Sequence, residues 1–552
     1  MKPFFALTWL ASASIICVLA GCGGSSNSSS SAPPPTTPPP PTTPPPPAPP
    51  PAPTLDPQYL ASAPSPFANN CDGVAPVGTL YVNAEVEPSL TLDPTDGSVL
   101  NAVWQQDRWS TGGARGIVSG RSTDGGQTWT RQAMAFTRCG GGNGANGGNY
   151  PRASDPWITV SSDGTLNQVA LAFSGGVFQP GSVNAVVAAR STDGGATWGP
   201  TQTLMQDDAS FFNDKGTITA DPVTSHYVYA VWDRLSSNNT GPSEFTRSTD
   251  DGATWESARA IYDPGINNQT ISNVIVVLPN GMLADMFIEL TGTSAGGFTS
   301  TIRLIRSSDN GDTWSAPVSV ADDLAVGTHD PDTGNPVRDS SLIADIAVAP
   351  DGTLYVVWQD SRFSNGARDA IAISASQDGG TTWSAPILVN SDPSVAAFTP
   401  VVHVRGDGVI GVTYYDFRDN TSDTATLYTD YWLAVSTDAM AWADHQVAAP
   451  FDLAVAPIAA APGGGFFLGD YQALSSSGAL FIPTFVQTNS ANTANRTDVF
   501  AAPAVSVTTA AALAMAKRSM VRAQPVVPDP AWRQRISDNI VRALRARLPR
   551  QE

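Results

Sequence analysis

This sequence predicts an all-β fold, a β-propeller of four-stranded antiparallel blades, on three observations. The stretch STDGGQTW at 122–129 returns as STDGGATW at 191–198, STDDGATW at 248–255, SSDNGDTW at 307–314 and SQDGGTTW at 376–383, with a degraded STDAMAW ending at Trp442. The Trp positions are 69, 57, 59, 69 and 59 residues apart, a period that marks propellers or solenoids. Each period also carries the same order of short apolar runs, clearest after Asp339: LIADIAVA, the turn PDGT, LYVVW, a polar loop, IAISAS, the repeated turn and APILV. That is four strands per period.

The elements follow in chain order. Lys2 and an apolar run lead to Leu19-Ala20-Gly21-Cys22, which resembles the lipobox of bacterial lipoproteins and implies cleavage before Cys22 and lipid on its sulfur. An ordinary signal peptide cut near Gly21 is the alternative, and both export the chain, to the outer membrane or cell surface. Residues 23–56 are rich in Ser, then Pro and Thr, and are expected to form an extended stalk. Beyond the leader no apolar run is long enough to span a bilayer. Cys71 and Cys139 would meet an oxidising compartment and are expected to be bonded.

The blades occupy residues 57–507. First strands read EVEPSLTLD, SDPWITVSS, GTITADP, ISNVIVVLP, SLIADIAVA, TPVVHVR and GDYQALSS, which favours seven blades, with six as the alternative. The last set lacks a fourth strand, and TLYVNAE near the N-terminus is expected to supply it and close the ring. Residues 508–552 carry nine Lys or Arg against three acids. Within them Asp529, Pro530 and the spacing of Trp532, Ile536, Ile540, Leu544 and Leu548 predict an amphipathic helix over 530–548. It can pack on the propeller, on a partner or on anionic lipid. The chain as a whole, with 49 acidic and 29 basic residues and a net charge of −20, disfavours nucleic acid as a ligand.

In the repeated turn the Asp can accept from N–H groups of its own loop, a Gly can take positive φ and the Trp can bury its ring. Its five Asp residues are therefore read as structural. The turns resemble the Asp-box, or BNR, repeats of sialidase-like (neuraminidase superfamily) β-propellers over about 430 residues. Such propellers also serve in non-catalytic roles, so the resemblance implies the fold more strongly than any activity.

Propeller geometry sends the loops after second strands and the starts of first strands to one face. That face collects Asp-Arg pairs after the second strands (Asp107 and Arg108, Asp233 and Arg234, Asp360 and Arg362, Asp416 and Arg418), which can pair with one another or grip a carboxylated sugar. It also collects the first-strand openings: Glu85 and Glu87, Arg152 and Asp155, Asp214 and Lys215, Arg338 and Asp339, Asp470 and Tyr471. Sialidases use a Tyr nucleophile. GDYQALSSSGALFIPTF resembles their segment that bears it, which matches Tyr471, and AVWQQDRW resembles the segment ending in an Arg, which matches Arg108.

The resemblance then implies an exo-α-sialidase-like hydrolase acting on terminal sialic or other carboxylated sugars. In it Tyr471 attacks the anomeric carbon, Glu85 or Glu87 takes its proton and Asp107 or Asp155 protonates the leaving oxygen. Arg108, Arg152 and Arg338 hold the carboxylate, with Lys215, Arg362 and Asp470 extending the site. The departure is at the first blade, where NAEVEP stands in place of the family's Arg-Ile-Pro. Two other readings are a non-catalytic propeller that binds a polysaccharide or protein partner, and a lyase of carboxylated polysaccharides. The four His residues have no ligand spacing, so no metal or cofactor is expected, although the loop HDPDTG could hold calcium.

Overall fold

The computed structural model describes residues 55–238, 240–294, 296–459, 464–502, 505–506 and 521–547. The leader, Cys22, almost all of the 23–56 segment and residues 507–520 lie outside the described residues. The chain is all-β, in successive antiparallel sheets. The first sheet is Leu80–Leu92, Leu100–Trp109, Ala114–Ser122 and Thr130–Ala133. Five more sheets repeat this order, opening with Arg152–Val160, Phe211–Ala220, Asn268–Val277, Asp345–Val348 and Ala397–Val404. A final one has Ala473–Ser477, Leu480–Thr488 and Thr497–Ala501.

The second strands are apolar without alternation because both of their faces are covered. Residues 228–232, VYAVW, are all buried. A separate apolar layer fills each gap: Ile117 and Ala170 between the first and second sheets, Val186 and Trp232 between the second and third, Phe245 and Ile275 between the third and fourth. Met286 and Trp358 fill the next gap, and Val357 and Tyr414 the one after it. The first strand of each sheet lies against the first strand of the next, and Ala473–Ser477 lies against Leu80–Leu92.

The fourth strand of the last sheet comes from the N-terminal side, but not from TLYVNAE. Tyr59–Leu60 pairs antiparallel with Thr497–Ala501, Tyr59 opposite Ala501. The TLYVNAE residues instead begin the 13-residue strand Leu80–Leu92, whose partner is Leu100–Trp109, and only Ala84 bridges to Thr497.

The repeated turns are held by their own side chains. Asp124 accepts from Thr128 N at 2.9 Å and Thr128 Oγ1 at 2.6 Å, and Ser122 Oγ accepts from Gly126 N at 2.9 Å. The hydrogen bonds from Thr128 hold the Asp124 pKa down at about 2, and the same bonds recur at Asp193, Asp309 and Asp378. These carboxylates are occupied as acceptors, as a structural staple requires. Cys71 and Cys139 are joined by a disulfide. Among the described residues one α-helix, α1, spans Pro530–Arg547; its N–H at Trp532 is capped by Asp529 at 2.7 Å, and Trp532, Ile536 and Ile540 sit in the layer of the fourth and fifth sheets.

Candidate functional site

One narrow cavity is lined by first-strand segments of six sheets, among them Asp155, Lys215, Ser272, Asp345, Pro400 and Tyr471. It marks the axis on which the sheets converge. The side chains reach it through a repeated irregularity. In five first strands the register shifts next to a residue with left-handed backbone: Glu87 (φ 56), Asp155 (φ 51), Lys215 (φ 51), Ser272 (φ 64) and Thr399 (φ 54). A β-bulge re-aims a side chain and suspends ladder pairing. Pro follows at 88, 156 and 400, where no N–H is needed for the ladder. Positive φ is unfavourable for these residues, most of all for β-branched Thr399, so the surrounding structure must hold each bulge.

The holders are polar residues that follow the Trp of second strands. Gln105, after Trp104, donates to Ser154 Oγ at 3.1 Å and to Glu87. Asp233, after Trp232, accepts from Ser272 N at 2.9 Å. Gln359, after Trp358, accepts from Thr399 N at 3.1 Å and Ser340 N at 2.9 Å. The first, third and fifth sheets thus each brace the bulge of the sheet that follows. The sequence carries this signal as a repeated Trp-(Gln or Asp) at or just before the Asp-Arg pairs that draw the eye.

At the axis the bulges place a charged cluster. Lys215 Nζ bonds Asp155, lies 2.7 Å from Asp470 Oδ2 and 3.7 Å from Glu87 Oε1. Arg338 forks onto Asp470, Nε to Oδ1 at 2.9 Å and Nη2 to Oδ2 at 2.5 Å. Arg338 is carried there by a two-stranded parallel pair, Val337–Arg338 with Phe466–Phe467, and both it and Arg108 stack on Phe467, at 4.5 and 4.7 Å. Gly469 (φ 131) permits the approach, since a Cβ there would lie 2.8 Å from Glu87 N. Every member is buried, with Asp470 at 0% exposure and Lys215 at 5%.

Burial and charge split the acids. Burial raises the Glu87 pKa to about 7 against the pull of Lys215. Burial also opposes the Asp470 carboxylate, but Arg338 and Lys215 outweigh it and hold its pKa well below the usual range. Lys215 is disfavoured by burial, yet Asp155, Asp470 and Glu87 push its pKa up. Carboxylate oxygens of Glu87, Asp155 and Asp470 lie within 4.8 Å of one another, the grouping a metal would need, but the cation among them is the Lys215 ammonium. The HDPDTG loop spends its acids locally: Asp330 accepts from Asp332 N at 2.9 Å, and Asp332 accepts from Asn420 Nδ2 at 2.8 Å.

Of the residues singled out from sequence, Glu87, Asp155, Lys215, Arg338, Asp470 and Tyr471 meet at the axis, with Arg108 beside them, bonded to Gln105 Oε1 at 2.6 Å. The Tyr471 hydroxyl donates to Pro156 O at 2.9 Å and its ring lies 5.1 Å from Trp157. Burial, then Glu87, Asp155 and Asp470, push its pKa well above the usual value. Four others are placed elsewhere. Arg152 is held by Thr111 Oγ1 at 2.9 Å and Gly112 O at 3.0 Å and stacks on Trp109. Asp107 accepts from Asn83 N at 2.9 Å and Ser65 Oγ at 2.8 Å. Arg362 turns back on Asp360 and on Asp322 O, each at 2.6 Å. Glu85 bonds Gln106 and faces Asp498.

A family model described as BNR repeat-like domain matches residues 97–393, more than half of the chain. The chain belongs to this family. Among solved structures, this BNR-repeat chain is similar to the alpha-L-arabinanase of Penicillium chrysogenum complexed with arabinobiose, at 15% identity and TM-score 0.42 over 66% of this chain and 94% of that one. It is similar to the Hadza microbial sialidase Hz136 at 17% identity and TM-score 0.42 over 74% of each. A protein of unknown function from Dyadobacter fermentans aligns at 13% identity and TM-score 0.42 over 80% of this chain and 96% of that one. No curated protein matches the sequence.

Proposed function

We propose that this BNR-repeat protein is an exported, lipid-anchored glycan-binding propeller of seven blades, and that it holds its ligand at the axial site without cleaving it. In support of the ring, first strands follow one another in contact and the last set returns to the first. In support of a sugar ligand, the axial cavity pairs the faces of Trp157 and Tyr471 with convergent polar groups, the mix that binding sites use.

The observation that carries the non-hydrolytic reading is the state of Tyr471. A nucleophilic phenol needs a base that takes its proton and a pKa that falls. Here the hydroxyl donates to Pro156 O, and burial, then Glu87, Asp155 and Asp470, push the pKa up. The arginine clamp is likewise spent, Arg338 on Asp470 and Arg152 on Thr111 and Gly112. A second reading is favoured by the split between Glu87, near 7, and Asp470, held low, which is the pattern of a two-carboxylate glycoside hydrolase.

Incubating the protein with sialylated, uronic-acid, neutral and amino oligosaccharides, with binding read by calorimetry and products by mass, tests these readings together. Binding with intact oligosaccharide is expected. Free sialic acid released in a Tyr471-dependent way would restore the sialidase reading, release lost in Glu87→Gln would establish the two-carboxylate one, and an unsaturated product absorbing in the ultraviolet would indicate a lyase.

A further inference from the structure

The charged cluster at the axis is in contact with helix α1 near the C-terminal end of the chain. Helix α1 is seated on the side where first strands begin. At its start Trp532 Nε1 donates to Ser361 Oγ at 2.9 Å, and the ring lies so close over Gly366 that a Cβ there would be 2.6 Å from it. Further along, Asn539 Nδ2 donates to Ala325 O at 3.2 Å and Arg542 Nη1 to Val337 O at 3.4 Å. In the last turn, Arg338, the same side chain that forks onto Asp470, donates from Nη1 to Ala546 O at 2.7 Å. A helix leaves its last four carbonyls without intrahelical partners, and one of them is satisfied here from inside the axial cluster.

Arg547 follows. It is 7% exposed, and among the described residues neither Nη1 nor Nη2 has a hydrogen-bond partner. Burial raises the carboxyl pKa of Asp214 and Asp233 and the Arg547 charge opposes that rise, and at Asp470 it adds to the stronger pull of Arg338 and Lys215. Arg547 therefore brings a cation to the mouth without the close ion pair that would fix it there, a contact of position and field rather than of matched geometry. With Arg547 set aside, the described cations among the carboxyls of Glu87, Asp155 and Asp470 are Lys215, held by Asp155 and Asp470, and Arg338, held by Asp470, with Arg108 bonded to Gln105. The uncovered mouth then offers buried carboxyl groups that an ammonium can meet, while its guanidinium groups are already engaged and are not free to grip a carboxylated sugar.

We propose that the last turn of α1 is an internal plug of the axial site, that Arg547 stands in for the ammonium of an amine-bearing oligosaccharide, and that such a ligand binds by displacing the helix. The sugar part rests on the glycan-binding reading; the plug and the sign of its charge rest on the contacts above. The apolar hold of the helix on the sheets is carried by Trp532, Ile536 and Ile540, while its last two residues meet the cluster through the Ala546 carbonyl and the Arg547 charge.

Two variants separate the parts: Arg547→Ala, which empties the mouth while the helix stays docked, and Ile536→Ser/Ile540→Ser, which loosens the helix without adding charge. Each is compared with wild type by calorimetry against a glucosamine tetramer, an N-acetylglucosamine tetramer and a galacturonate tetramer at low ionic strength. Both variants are expected to bind the glucosamine tetramer at least tenfold more tightly than wild type, with no gain for the other two. A labelled peptide of residues 530–547 is tested alongside; it should bind the Ile536→Ser/Ile540→Ser protein and not wild type, and the peptide carrying Arg547→Ala should bind tenfold more weakly. Equal sugar affinity across the three proteins, or a gain for galacturonate, overturns the proposal, as does a peptide that fails to bind. A peptide that binds while no sugar binds any protein leaves the plug standing and defeats the glycan reading instead.

Discussion

Replacing Lys215 by Met is the most direct way to expose the electrostatics of the axis. The side chain is 5% exposed, with Asp470 Oδ2 at 2.7 Å and Glu87 Oε1 at 3.7 Å. At an effective dielectric of about 20, the 332/(εr) relation gives about 6 kcal/mol for the first of these and about 4 for the second. Returning a buried ammonium to water recovers several kcal/mol, so the net loss on removing one partner of such a cluster is about 3–5 kcal/mol. Urea unfolding followed by Trp fluorescence should show this loss at pH 8. Below about pH 6 it should shrink, because Glu87, whose folded pKa is raised to about 7, takes up a proton and no longer needs the cation. Adding Asp155→Asn to Lys215→Met should recover at least half of the loss. A loss under about 1 kcal/mol that ignores pH would refute the reasoning, since the ammonium would then not be neutralising those carboxylates.

The fold and its bracing make three further predictions. Asp285 is fully buried, neither carboxyl oxygen has a partner among the described residues, and burial followed by Asp233 raises its pKa well above the usual value. A raised folded pKa means stability that is present below the unfolded value, near 4, and lost as pH rises toward the folded one, so Asp285→Asn should be more stable than wild type by about 1–3 kcal/mol at pH 8 and equal to it at pH 4, as read by urea midpoints. Gln359→Leu removes the acceptor of Ser340 N and Thr399 N and should cost about 2–4 kcal/mol; a neutral effect would show that the bulge at Thr399 needs no brace. The Cys71–Cys139 bond spans 68 residues, and Cys71→Ser/Cys139→Ser should lower stability by about 2–4 kcal/mol in the same assay.

The fold was legible in the sequence because the turns that repeat are held by residues inside each turn. Ser122, Asp124 and Thr128 find one another within seven positions, so their pattern survives in the letters. The closing strand was misplaced because Tyr59–Leu60 is two residues long, too short for any alternation to show, whereas TLYVNAE looks like a strand and is one, in the first sheet. At the axis the residues that open first strands were legible as a group, since the repeated strand order brings Glu87, Asp155, Lys215, Asp470 and Tyr471 to one place, while Arg338 arrives on its own parallel pair with Phe466–Phe467. What each would bond was not. Arg152, Asp107 and Arg362 carry the right chemistry for a clamp or an acid, but their partners are set by neighbouring loops and backbone carbonyls that no local pattern announces. The helix over 530–548 was legible from its spacing of four, and α1 ends at Arg547; that its last turn would meet Arg338 depends on a contact 208 residues apart in sequence.

The central claim is that Tyr471 is a buried structural phenol beside a self-neutralised charge cluster and not a nucleophile. Exposure of the wild-type protein and Tyr471→Phe to a sialoside substrate, with free sialic acid measured by mass against a no-protein control, tests it most directly. The account predicts no release above the control from either protein. Release by the wild type that disappears in Tyr471→Phe, with the fold intact, would contradict it.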